Sequence, residues 1–203
     1  VYNDGAFRFD LGDYYVTFGR GLALSMRRSG DGELDNTLRG AKFEYSSEGT
    51  NIAILGGLTN IVNIDPVNQT PQSDPYDLIV GLRGEQRFAD LFSMGAHAVH
   101  ARYGLTESDY RRRFIPEQET SILGATLEFP DILGHASLYA EYDYMQRYAR
   151  KLNDSLSGAD SVGDDGHGVY ASASFYVENF TLTAEYKYYN DFIFRRGRTK
   201  LSY

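Results

Sequence analysis

The stretch GVYASASFYVENFTLTAEYKYY, residues 168–189, decides how this chain folds. Every second residue from Val169 is apolar: Val169, Ala171, Ala173, Phe175 and Val177, with Tyr170, Ser172, Ser174 and Tyr176 between them. Glu178-Asn179 breaks the pattern. It then resumes as Phe180, Leu182, Ala184, Tyr186 and Tyr188 against Thr181, Thr183, Glu185 and Lys187. Side chains alternate across a strand, so this pattern on both sides of a two-residue turn predicts a β-hairpin with strands of about ten residues. Each strand has one apolar and one polar face. The apolar face needs either a protein core or a lipid bilayer against it.

Working outward, the same alternation predicts strands over 13–27, 36–46, 50–60, 76–88, 92–103, 120–129, 135–146, 168–177 and 180–190. Helical spacing is almost absent. Several of these runs exceed the five or six residues of an ordinary strand and reach the roughly nine to eleven of a membrane-crossing one. The connections alternate strictly in length. Residues 46–49, 89–91, 130–134 and 178–179 are short; 28–35, 61–75, 104–119 and 147–167 are long. Short turns therefore share one end of the sheet and long connections the other, as in bacterial outer-membrane barrels. The stretches 63–75 and 153–168 are rich in Pro, Asn, Asp, Gly and Ser and read as surface loops.

The chain has 203 residues, which suits one β domain. It has no Cys, hence no disulfide and no thiolate metal site. The net charge of -8 opposes nucleic-acid binding, which requires a basic surface. No apolar run is long enough for a transmembrane helix, but a barrel strand shows lipid only every second residue. Along the apolar faces, Tyr142, Tyr144, Tyr186 and Tyr188 fall toward the long-connection end, and Phe129, Phe175 and Phe180 toward the short-turn end. Between them lie Ala125, Ala140, Ala173 and Ala184, which would fill a protein core poorly. Two aromatic bands around an aliphatic zone match bilayer interfaces, so the apolar face is expected to meet lipid. The competing reading is a soluble secreted β-sandwich acting as a binding or adhesion module.

The segments DYYVTFGRGLALSMR (13–27) and NTLRGAKFEYS (36–46) resemble the start of a large, poorly characterised family of porin-like Gram-negative outer-membrane β-barrels. The resemblance implies an all-β, antiparallel up-and-down transmembrane barrel in the bacterial outer membrane. It implies a porin-like channel or structural barrel allowing passive permeation of small polar solutes, with outer-membrane lipid as the surrounding partner. A third reading, a barrel enzyme acting on lipids, lacks a motif: no G-x-S-x-G, H-E-x-x-H or Gly-rich phosphate loop occurs. No enzymatic activity, catalytic residue, metal or cofactor is expected.

Strand phase places Lys42, Glu44, Arg83, Glu85, Glu128, Glu141, Asp143, Glu185 and Lys187 on the lumen side. Glu141 and Asp143, two apart on one face, could share a cation, although such pairs are more often solvated or paired to Arg. His97 and His100 are three apart and face opposite ways, so they cannot chelate one ion together. His135 and His167 read as ordinary polar histidines. Arg20 is the anomaly. Tyr14, Val16, Phe18, Leu22, Leu24 and Met26 share one phase, and strict continuation would aim Arg20 at lipid, at a cost of roughly 2–4 kcal/mol. The favoured resolution is a glycine bulge on each side that turns Arg20 into the lumen; the other is a hairpin tip at Gly19-Arg20-Gly21. DYRRRF (109–114) and FRRGRTK (194–200) place Arg111, Arg112, Arg113, Arg195 and Arg196 near the long connections, where Arg forks suit lipopolysaccharide phosphates. With 13–27 as one strand, nine traverses result and the chain finishes at the long-connection end. Single-chain bacterial barrels have even strand numbers. The expectation is therefore a single barrel domain over 1–203 with about nine or ten strands, incomplete on its C-terminal side. A longer protein, or further protein chains, would complete the wall.

Overall fold

The computed structural model describes residues 2–26, 36–61, 63–64, 71–72, 76–104, 119–150 and 161–192. No helix forms among them; every regular element is a strand. In chain order these are β1 (Tyr2–Asp4), β2 (Phe7–Tyr14), β3 (Val16–Phe18), β4 (Leu24–Met26), β5 (Asn36–Ser47), β6 (Thr50–Ile61), β7 (Asn63–Ile64), β8 (Pro71–Gln72), β9 (Leu78–Phe88), β10 (Phe92–Arg102), β11 (Glu119–Ile132), β12 (Ala136–Arg150), β13 (Ser161–Val177) and β14 (Phe180–Asn190).

Ten strands form one antiparallel sheet in the order β1-β2-β5-β6-β9-β10-β11-β12-β13-β14. Apart from two small side hairpins, spatial order follows chain order. The β13–β14 hairpin pairs as the alternation requires, from Val177 opposite Phe180 to His167 opposite Asn190. The sheet ends at β1 and β14, and no described pairing joins them. Side chains of β14 are exposed on both faces throughout.

The two faces differ sharply in chemistry. The outer face carries exposed Leu11, Phe43, Ile54, Leu58, Leu78, Val80, Leu82, Met94, Leu123, Leu138, Phe175 and Leu182. Its charged residues, Asp13, Arg39, Arg102, Glu119 and Asp165, lie toward the long-connection end, where Arg39 pairs with Asp13 at 2.9 Å. Aromatics gather near the short turns: Phe88 stacks on Phe92 at 4.8 Å, Phe92 meets Phe129 at 5.8 Å, and Phe7 meets Tyr45 at 5.0 Å.

The inner face is split by level. Toward the long connections, one cross-strand row reads Leu55, Gly81, Val99, Ile122 and Met145. The next row toward the short turns reads Ala53, Arg83, His97, Gly124 and Asp143, and the one after it Asn51, Glu85, Gly95, Thr126 and Glu141. The apolar level is covered by the β3–β4 hairpin, which leaves the sheet after Tyr14 and folds onto the inner face. Phe18, 1 % exposed, sits over Gly81, where a Cβ would collide with its ring. Phe18, Ala23 and Leu24 form one buried cluster with Tyr14, Leu38, Leu55, Ile79, Val99, Ile122 and Met145. Full burial of side chains such as Phe18 and Leu24 contributes about 1.5–3 kcal/mol each. These sheet residues come from seven adjacent strands, which laid flat would span about 29 Å at about 4.8 Å per step. A two-stranded hairpin cannot cover that width, so the sheet curls around it.

The hairpin corrects the sequence reading of 13–27. That segment is not one traverse, and Arg20 is not turned inward by flanking bulges. Gly19 and Gly21 adopt positive φ of 55° and 91°, and the amide of Gly21 donates to Phe18 O at 2.9 Å, closing a turn. Glycine takes such φ without steric cost. The apolar residues Tyr14, Phe18 and Leu24 are therefore interior, not on the outer face. The first full traverse is β2, preceded by a short β1; the alternation revealed neither β1 nor residues 7–12 of β2. The connection expected over 147–167 is also shorter at both ends, because β12 and β13 continue to Arg150 and from Ser161. Among the described residues, nine strands of the large sheet are longer than three residues.

Candidate functional site

Below the hairpin tip the inner face opens into a polar chamber of about 290 Å³. Arg20, Arg83, Glu85, His97, Glu128 and Tyr139 line it. Its ceiling is the Gly19-Arg20 turn and its wall comes from β9 to β12. The polar level starts where Leu55, Val99, Ile122 and Met145 give way, one row on, to Arg83, His97 and Asp143.

Glu141 and Tyr139 hold the hairpin tip. The backbone N–H of Arg20 donates to Glu141 Oε2 at 2.7 Å, and the Tyr139 hydroxyl donates to the same oxygen at 2.7 Å. The Arg20 guanidinium lies over the Tyr139 ring, 4.7 Å from its centroid, a cation–π contact. Gly19 packs so closely on Glu141 that a Cβ there would overlap the carboxylate. Tyr139 in turn meets Tyr170 edge-on at 5.9 Å, and Tyr170 donates to Glu185 Oε1 at 2.8 Å. Lys187 pairs with Glu185 at 3.2 Å.

The second interaction crosses three strands. His97 on β10 and Asp143 on β12 flank Gly124 on β11 in a single row. Strands two apart are separated by about 9.6 Å, too far for their side chains to meet over an ordinary residue. Gly124 has no side chain, so His97 Nε2 and Asp143 Oδ1 meet above it at 2.6 Å. A Cβ at Gly124 would collide with both atoms. Asp143 is 0 % exposed and Glu141 2 %. Glu141 Oε1 and Asp143 Oδ2 are buried and have no hydrogen-bond partner among the described residues, and neither has Arg83 Nε.

A separate ion cluster lies on β2 and β5, where Lys42 Nζ stands 3.2 Å from both Asp10 and Glu44. All the residues that strand phase assigned to one polar face lie on the inner face: Lys42, Glu44, Arg83, Glu85, Glu128, Glu141, Asp143, Glu185 and Lys187. Arg20 joins them from the hairpin. Glu185 and Lys187 are exposed because β14 ends the sheet. Arg111, Arg112, Arg113, Arg195 and Arg196 lie outside the described residues. His100 faces outward beside Ser121, 2.9 Å from its hydroxyl, so it is separated from His97 as the spacing requires. His167 contacts the Tyr142 hydroxyl at 2.8 Å.

The partnership of His97 with Glu141 and Asp143 was missed. Its one sequence signal is Gly124 set in an otherwise side-chain-rich strand. The rest depends on two successive registers, between β10 and β11 and between β11 and β12, which the alternation within each strand does not fix. No family model, curated protein or solved structure matches this chain.

Proposed function

We propose that this chain forms the wall of an outer-membrane β-barrel through which small polar solutes permeate passively, with the β3–β4 hairpin narrowing the passage. One observation carries the reading: the outer face is apolar except toward the long-connection end, while charged residues are buried on the inner face. A soluble sandwich would place these faces the other way round, with Ile54, Leu82 and Leu123 against a second sheet. Strand length fits too. The eleven residues of β10 extend about 36 Å, or about 26 Å at a tilt of about 45°, close to the apolar band of such barrels. Polar backbone at the edges of β1 and β14 cannot face lipid, so in this reading both edges are paired.

In this reading the hairpin narrows the passage at its apolar level, and the chamber below sets selectivity through Glu85, Glu128, Arg20 and Arg83. Planar-bilayer recording tests it. Inserted protein gives discrete conductance steps, and Glu85→Lys with Glu128→Lys shifts preference from cations toward anions. Inserted protein without steps, or steps with unaltered ion preference in the double variant, would overturn permeation through this chamber.

A further inference from the structure

We infer that His97, Glu141 and Asp143 form a binding site for one divalent transition-metal ion beneath the hairpin tip. One donor atom from each lies within 4.8 Å of the others, and all three residues are buried. Zinc-type sites hold nitrogen and carboxylate donors at about 2.0–2.2 Å, which places donors about 3.3 Å apart. Side-chain rotation has to cover that difference; Gly124 and Gly19, which both pack directly on the donor groups, place no side chain of their own among them.

Two further observations point to a cation. Glu141 Oε1 and Asp143 Oδ2 are buried acceptors with no donor among the described residues. Buried carboxylate oxygens left unpaired are costly, and a metal is one of the few groups that satisfies several at once. Charge balance agrees. Around the chamber and the cluster beneath it stand four carboxylates, Glu85, Glu128, Glu141 and Asp143, against the guanidiniums of Arg20 and Arg83. The deficit is two positive charges, four carboxylates less two guanidiniums. The donor set selects the ion: one imidazole with two carboxylates suits Zn²⁺, Mn²⁺, Fe²⁺ or Co²⁺, whereas Mg²⁺ and Ca²⁺ take all-oxygen sites. Tyr139 and the Arg20 amide, both on Glu141 Oε2, orient that carboxylate and leave Oε1 for the ion, as outer-shell partners do in known sites.

The test uses the chain folded in detergent micelles, stripped with EDTA and titrated with Co²⁺. The expected result is one Co²⁺ per chain with visible d–d absorption, displaced by Zn²⁺. His97→Gln and Asp143→Asn each weaken binding about tenfold or more, while His100→Gln, on the outer face, leaves it unchanged. Zn²⁺ also raises the unfolding midpoint of the wild-type chain and not that of Asp143→Asn. If His97→Gln fails to fold, the wild-type stoichiometry and the Zn²⁺-dependent midpoint still decide. Folded wild-type protein that takes up no stoichiometric Co²⁺, or that binds it equally after Asp143→Asn, overturns the inference. Neither outcome bears on permeation, which is read separately in bilayers.

Discussion

Replacing Gly124 with alanine adds one methyl group at the point where His97 and Asp143 meet. Its Cβ would occupy space held by Asp143 Oδ1 and His97 Nε2. Both side chains are essentially fully buried, so they yield to the methyl group only by moving apart from each other. The 2.6 Å contact must open. Loss of a buried hydrogen bond that leaves a charged partner unsatisfied costs about 1–3 kcal/mol or more. Against this, alanine in a strand interior gains about 0.5–1 kcal/mol over glycine. The net expectation is destabilisation by about 1–2 kcal/mol. Urea unfolding in lipid vesicles, followed by far-ultraviolet circular dichroism because the chain has no Trp, measures it. The decisive comparison is a double-mutant cycle with His97→Ala. Removing the imidazole frees the space, so Gly124→Ala on that background should be neutral or mildly stabilising, and the coupling should reach about 1–2 kcal/mol. Gly124→Ala that is neutral in the wild-type chain, or equally costly in both backgrounds, would refute the idea that this glycine exists to let β10 and β12 touch across β11.

Two other outcomes follow from the faces and the hairpin. Leu123→Arg on the outer face should destabilise the bilayer-inserted chain by about 2–4 kcal/mol, whereas Thr126→Arg on the inner face should cost far less; equal effects would argue against lipid contact. Gly19→Val forces a β-branched residue into a left-handed conformation, about 1–2 kcal/mol, and drives it into Glu141, so the hairpin tip should disengage and single-channel conductance should rise. Unchanged conductance with intact folding would mean that the hairpin does not set the width of the passage.

The strands from β5 to β14 in the large sheet were legible because alternation and turn signals act locally. Val169 to Val177 and Phe180 to Tyr188 needed no knowledge of the rest of the chain. The hairpin tip at Gly19-Arg20-Gly21 was one of two readings of its own residues, but its inward direction was not legible from them. Phase says only that Tyr14, Phe18 and Leu24 share a face, not whether lipid or an interior covers it. A cue did exist elsewhere. In NIAILGGL (51–58) and LIVGL (78–82) both faces are apolar, Ile54 beside Leu55 and Ile79 beside Val80, which requires an apolar cover on the inner face at that level. The polar residues below that level share one face of the sheet, which phase could give one strand at a time. Their contacts were not foreseeable, because His97 and Asp143 meet only through two strand registers and a glycine.

The central claim is that the outer face is in lipid, and the absence of Cys makes it directly measurable. Single cysteines at Leu82, Leu123 and Leu182 on the outer face, and at Thr126 and Ser172 on the inner face, can each carry a nitroxide label in vesicle-inserted protein. Power-saturation electron paramagnetic resonance then compares collisions with oxygen, concentrated in the bilayer, and with a water-soluble nickel chelate. Labels at Leu82, Leu123 and Leu182 should favour oxygen strongly, and those at Thr126 and Ser172 should not. Outer-face labels that collide mainly with the nickel chelate would contradict the account.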